Sequence, residues 1–348
     1  MFRLINVIIS LLLTLASTSI SLCNPGETRY AVKADTLKKI NEELWNGEYG
    51  KISGIVIYQN SRLIYEKYYG FNNVNTLHPI SSVTKSITSL IAGICIDKGY
   101  LRSIDTPIYS YFPEYKSIFE RDTLKKRITI RNLLNQTAGF EWDEWTTHYS
   151  YAGNSLIELS QSNQNWVETT LKLPIISQPG AKFCYNSGNS QLIKEILQKT
   201  TGHEFEWLVY NFLFKPLGIN QYLWDKYADN GVPAWGGVSL TTRDMARLGT
   251  LICNHGCWND NQIISTDWID KSISIESSNG KAEYGLHWWV ETQPDGNPLI
   301  YAAGYGDQYI YVAPDKKIVI AINGQNFTDY KWPKTIDNLI KSIFSSLE

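Results

Sequence analysis

The stretch His78–Tyr100, HPISSVTKSITSLIAGICIDKGY, decides how the rest of the chain is read. Pro79 marks a turn. After it, Ser82-Val83-Thr84-Lys85 opens an apolar segment with hydrophobic positions at Ile87, Leu90, Ile91 and Ile94. Spacing of three and four predicts a helix with one buried face. Ser82 falls in its first turn and Lys85 lies three positions on, so both side chains occupy one side of the helix. A hydroxyl and an amine then meet at the positive end of the helix dipole. A partly desolvated amine in that field can lose its proton near neutral pH and take one from the serine. The alternative is an N-cap serine beside a solvated lysine. A second Ser-x-x-Lys, Ser278 to Lys281 in SSNGK, contains Asn279-Gly280, which reads as a turn and loses this geometry.

The composition, 348 residues with 43% hydrophobic and 19% charged, is that of a globular chain long enough for two domains. A net charge of −2 without charge blocks supplies no surplus to neutralise phosphates, which argues against nucleic acid as a partner. Residues 1–23 read as an export signal: Arg3, an apolar run Leu4–Leu15, then small residues at Ala16, Ser17, Ser19 and Ser21. A periplasmic or secreted protein is expected; retention of the segment as an anchor, or lipid on Cys23, is the membrane-attached alternative. Export permits disulfides, and Cys253 and Cys257, four apart around Asn254-His255-Gly256, are expected to form a local one. Cys95 reads as core. The five histidines are scattered, and His203-Glu204-Phe205-Glu206-Trp207 lacks the second histidine of a zinc helix, so neither a metal site nor a cofactor is expected.

Asp35 is placed to cap a helix with Leu37, Ile40, Leu44 and Trp45 apolar. Ser53–Tyr58 and Leu63–Tyr69, rich in β-branched and aromatic residues, predict an antiparallel hairpin through Gln59-Asn60-Ser61-Arg62. Helices and long loops follow from about Leu101 to Gly237. They include one helix from Thr129 to Leu134, an acidic and aromatic loop Phe140–Trp145, a stripe Leu192, Ile193, Ile196 and Leu197 ending at Gly202, and a helix capped by Thr241/Thr242. Strands return at Gly285–Val290, Leu299–Ala303, Gln308–Ala313 and Ile318–Asn323. A final helix presents Ile336, Leu339, Ile340, Ile343, Phe344 and Leu347 on one face. The expected class is α+β: an antiparallel sheet built from both chain ends (30–79 and 285–348), flanked by terminal helices, with a mostly helical part (80–284) inserted. The cleft between the two parts is the default site.

Taken together, these motifs resemble the serine β-lactamase/penicillin-binding-protein superfamily. The branch is the one with class C β-lactamases, D-alanyl-D-alanine peptidases, lactamase-fold esterases and 6-aminohexanoate-dimer hydrolases. The likeness covers nearly all of residues 35–347. It rests on Ser82-Val83-Thr84-Lys85, ITIRNLLNQTAGF (128–140), PGAKFCYNSGNSQLIKEIL (179–197), WGGVSLTTRDMARLG (235–249) and YAAGYGDQYIYVAPDKKIVIAI (301–322).

The resemblance implies that Tyr185 approaches Ser82 and Lys85 and relays protons. It places Ser187 at the polar third position of Tyr185-Asn186-Ser187, against substrate or lysine. Where lactamases and peptidases carry Lys-Thr-Gly or His-x-Gly, this chain has Ala302-Ala303-Gly304. Ala303 and Gly304 are expected beside the substrate, and the Tyr305 N–H is expected to join the Ser82 N–H in an oxyanion hole. The missing cation argues for a small ester or amide without the carboxylate of β-lactams. Trp142 and Trp235, with Trp145 and Trp289, are candidate walls of an apolar cleft. The rival readings are a true β-lactamase or D-alanyl-D-alanine peptidase, and a catalytically idle envelope binding module. No G-x-S-x-G occurs to offer a rival serine.

Overall fold

Alternation along the two ends of the chain builds the sheet that organises the molecule. In this computed structural model the residues described are 33–345, apart from 229 and 328–330; the expected leader 1–23, Cys23 and Leu347 lie outside them. Ile52–Gln59 and Arg62–Tyr68 form the expected hairpin, turning through Asn60 and Ser61, both at positive φ. Eight strands then run antiparallel in the order Arg62–Tyr68, Ile52–Gln59, Ile318–Gly324, Gln308–Ala313, Pro298–Gly304, Trp289–Thr292, Glu283–Tyr284, Ser277–Ser278. The first strand thus pairs with the last, with Ile55 opposite Ile322 and Ile57 opposite Ile320.

Because side chains alternate across a strand, the central strands serve two cores. Ile55, Ile57, Ile320 and Ile322 pack with Ile40 and Leu44 of the helix Ala34–Trp45 and with Leu339 and Ile343 of the helix Ile336–Ser345. Asp35 falls in the first turn of the former helix, whose N-cap is Lys33. Val56, Ile310, Val312, Val319 and Ala321 face the other way, into the large core shared with the helical body. The helix Thr242–Cys253, capped by Thr241, lies on this second face. It comes so close that a Cβ on Gly249 would sit 2.5 Å from Val319 and 2.7 Å from Ile310.

Two expectations are corrected. Gly285–Trp288 is not strand: the Gly285 N–H donates to the Trp288 carbonyl, His287 takes φ +61, and the Leu286 N–H goes to Ser272, so the strand starts at Trp289. Cys253 is a free, buried thiol on the core-facing side of its helix, so the Cys253–Cys257 bridge is not formed. The copy Ser278–Lys281 is a turn, with Gly280 at φ +82 and the Lys281 N–H bound to Asn279. Among the described residues no helix is long and apolar enough to cross a membrane.

Candidate active site

The helix Val83–Asp97 begins where a short strand is forced to turn. His78–Pro79 pairs with Ser239–Leu240, and the Ile80 N–H donates to Val238 at 2.8 Å. Ser81 then takes φ +49, a left-handed conformation unusual for a residue with a side chain. Its carbonyl accepts from the Thr84 hydroxyl at 2.7 Å, and its own hydroxyl donates to the Tyr305 carbonyl at 2.9 Å. Ser82 stands at the N-cap position but makes no capping bond through its side chain. Its Oγ instead accepts from Lys85 Nζ at 3.0 Å. The capping alternative is therefore excluded, and so is the solvated lysine: Lys85 is 1% exposed. Burial brings its pKa down from 10.5 to about 8, against the opposing charge of Glu144.

Tyr185 comes from the segment between the Pro179-Gly180 turn and the helix Ser187–Thr201, whose N-cap Asn186 accepts from the Gly188 N–H at 2.7 Å. Gln136 clamps that segment. Its carbonyl takes the Cys184 N–H at 2.8 Å, and its Oε1 takes the Asn186 N–H at 3.1 Å and Asn189 Nδ2 at 2.7 Å. The phenol ring is thereby held with Lys85 Nζ 4.7 Å from its centroid. Burial pushes the Tyr185 hydroxyl well above the ordinary phenol range, the Glu144 charge adds to this, and a hydrogen bond with the Ser82 side chain opposes it. The resting tyrosine is a neutral phenol, able to relay a proton rather than to hold a standing negative charge.

The third piece is the end of the strand Pro298–Gly304. A Cβ on Gly304 would lie 2.3 Å from the Ile80 carbonyl oxygen and 3.1 Å from Ser81 Cβ, so glycine is what lets Gly304-Tyr305 run beside Ile80–Ser82. The backbone amides of Ser82 and Tyr305 thus belong to adjacent segments, and Ala303 and Gly304 bring no cation to them. The Tyr305 hydroxyl donates to the Phe327 carbonyl and pairs with His148 Nε2, both at 2.8 Å, and its ring lies 4.9 Å from that of Tyr149.

Other expected contacts are placed differently. Ser187 reaches neither lysine nor an open cleft; it is fully buried and its hydroxyl donates to Glu144 at 2.7 Å. Trp142 and Trp235 belong to a satellite cluster with Leu159 and Trp166, although Gly236 beside Trp235 passes Ser81. Trp145 and Trp289 are the tryptophans that face Tyr185. They stack on it at 5.2 and 5.9 Å and on each other at 6.1 Å, and Trp145 remains 50% exposed. Three residues of the site were not legible beforehand. Gln136 sits at φ +62 within a stretch that reads as a helix end, and Glu144 within one that reads as a loop. The third, His287, is a buried imidazole pushed down to about 3, chiefly by burial and then by the charge of Lys85; its Nε2 pairs with Ser190 at 3.0 Å.

Residues 46–330 match the family model described as Beta-lactamase. Among curated relatives, "Beta-lactamase-like protein 4" of Dictyostelium discoideum is 29% identical over 67% of this chain and 47% of its own length. The "6-aminohexanoate-dimer hydrolase" of Paenarthrobacter ureafaciens is 21% identical over 76% of this chain and 70% of its own. The chain therefore spans about half the length of the first of these relatives. Among solved structures, an octameric penicillin-binding protein homologue from Pyrococcus abyssi superposes with a TM-score of 0.66 at 21% identity, covering 86% of this chain and 74% of that one.

Proposed function

The chain belongs to the Beta-lactamase family of hydrolases, and on that premise we propose that it is an exported serine hydrolase of small, carboxylate-free esters or amides. The observation that carries this reading is the 3.0 Å bond from a fully buried Lys85 to Ser82, with Tyr185 against both. Ser82 Oγ attacks the scissile carbonyl and its proton passes to neutral Lys85. The Ser82 and Tyr305 N–H groups hold the developing oxyanion. Collapse breaks the bond to the leaving group, which takes a proton through Tyr185. Water then attacks the acyl-enzyme, with Lys85 and Tyr185 again taking and returning the proton.

The preference against acids is supported by Ala302-Ala303-Gly304 and by Trp145 and Trp289 beside Tyr185, where an apolar acyl group fits better than a charged one. Export rests on the leader-like residues 1–23.

A fluorophosphonate probe, which needs only the nucleophile and its base, is the direct test. Labelling at Ser82, lost in Ser82→Ala, is expected; no labelling of the folded protein would favour a binding module. A panel of p-nitrophenyl esters, short linear amides, nitrocefin and a D-alanyl-D-alanine peptide then ranks the substrates. Faster turnover of nitrocefin or the peptide than of esters and amides would overturn the carboxylate-free assignment.

A further inference from the structure

Lys85 and Tyr185 share their enclosure with a buried acid that the reaction as written does not use. Glu144 is 2% exposed. Its Oε1 accepts from the Ser187 hydroxyl at 2.7 Å and the Tyr149 hydroxyl at 3.3 Å. Its Oε2 accepts from the Ser187 N–H at 3.0 Å and Trp142 Nε1 at 2.9 Å. Two of these partners, the Ser187 N–H and Trp142 Nε1, can only donate, and the two hydroxyls can donate as well. An ionised carboxylate, which only accepts, satisfies all four at once with charge-assisted hydrogen bonds. The Ser187 N–H also belongs to the first turn of the long helix Ser187–Thr201, whose positive end favours an anion. The loop is wrapped around this acid: Asn154 Nδ2 donates to the Glu144 carbonyl at 3.1 Å and to that of Thr147 at 2.7 Å.

We propose that Glu144 is the positioning residue of this site: a carboxylate that holds the loop carrying Trp145 over Tyr185 and sets a negative charge beside the Lys85–Tyr185 pair. The inference rests on the Ser82/Lys85/Tyr185 reading and adds to it a charge that opposes the effect of burial on Lys85.

The electrostatic surroundings are consistent with that role. The Glu144 charge acts on Lys85 of the helix Val83–Asp97, on Cys184 and Tyr185 of the segment before Ser187, on Tyr284 of the strand Glu283–Tyr284 and on Tyr149 of its own loop. Asp143, on the same loop, reaches Cys184 as well, as does Lys182. His287 feels the Lys85 charge, and burial with that charge holds its imidazole neutral. Without Glu144, Lys85 would be left with burial alone, which disfavours its charged form. Its neutral form would then prevail at lower pH, and Tyr185 would ionise more readily.

The experiment is the pH dependence of fluorophosphonate labelling at Ser82. In Glu144→Gln the midpoint is expected to move to lower pH by about half a unit or more, with a plateau rate reduced several-fold as the loop loosens. Ser187→Ala, which removes the 2.7 Å bond but keeps the charge, is expected to slow labelling without moving the midpoint. An unmoved or raised midpoint in Glu144→Gln overturns the proposal, and so does an equal shift in Ser187→Ala, because loosening alone would then explain both. Should Glu144→Gln fail to fold, 13C-labelled lysine in the wild-type protein and in Glu144→Asp carries the test. The Lys85 signal, assigned through Lys85→Arg, is expected to share the midpoint of Ser82 labelling in wild type and to move to lower pH in Glu144→Asp, whose shorter side chain draws the charge back; an unmoved or raised midpoint in Glu144→Asp overturns the proposal. Absence of any wild-type labelling would instead fail the serine-hydrolase reading itself, and this inference with it.

Discussion

The Ser81 hydroxyl donates to the Tyr305 carbonyl at 2.9 Å, joining the start of the helix Val83–Asp97 to the end of a strand 224 positions away. This bond ties Tyr305 to the residue before Ser82, so the two amides of the proposed oxyanion hole lie on segments it joins. Ser81→Ala is expected to lower kcat toward p-nitrophenyl acetate about tenfold, since an oxyanion donor drifts from its place, and to lower stability by about 1 kcal/mol. Ser81→Gly relieves the φ of +49 and so is expected to recover stability but not rate. Steady-state kinetics and thermal melts of the two variants check this; equal kcat in wild type and Ser81→Ala would separate the bond from catalysis.

A lysine can serve as a base only when neutral, and the proposed role of Lys85 therefore carries a pH limb. With its pKa at about 8, kcat/KM is expected to rise with pH along a limb with its midpoint near 8. The stability sign follows from the same lowering. Between about 8 and 10.5 the unfolded chain holds a proton that the folded chain has released, so stability rises with pH through that window; below it the penalty is constant. Lys85→Met is expected to gain about 1–3 kcal/mol at pH 7, to lose turnover by orders of magnitude, and to show a shrinking advantage by pH 9.5. Denaturant unfolding at the two pH values measures it, and an advantage that grows with pH would contradict the burial account.

Two glycines separate site geometry from packing. In Gly304→Ala the new methyl would meet the Ile80 carbonyl oxygen, so the strand must part from the helix, and a loss of about 100-fold in kcat/KM is expected. In Gly249→Ala the methyl would meet Val319 and Ile310, and the expected result is a loss of about 1–3 kcal/mol in stability with kcat/KM largely kept. Kinetics and melts on both variants distinguish the cases.

Trp145 is half-exposed yet stacked on Tyr185. Trp145→Ala is expected to change stability by less than about 1 kcal/mol while raising KM for aromatic and long-chain acyl esters more than for acetate. A uniform rise across the acyl series would show that the ring orders Tyr185 rather than binding the acyl group.

Much of the fold was legible because it is written in local periodicity. The stripes of Leu192–Leu197 and Ile336–Ile343 and the alternation of Ile318–Asn323 each announce an element, and the terminal strands do pair. The bend at Gly285–Trp288 is not written locally, because tertiary hydrogen bonds to Ser272 and Leu134 make it. The site was legible to the extent that it lies within one helical turn or follows the family pattern. Glu144 and Gln136 were hidden because their roles consist of partners about 40 to 50 residues away, Ser187 and Asn186.

What the sequence by itself determined is one pairing: spacing of three on a helix obliges Ser82 and Lys85 to be neighbours wherever that helix lies. What only the tertiary structure decided is their chemistry. Burial of Lys85, the approach of Tyr185 and the placement of the Glu144 carboxylate come from packing between distant segments, and a proton's affinity depends on the solvent and charges around it rather than on the residue that carries it.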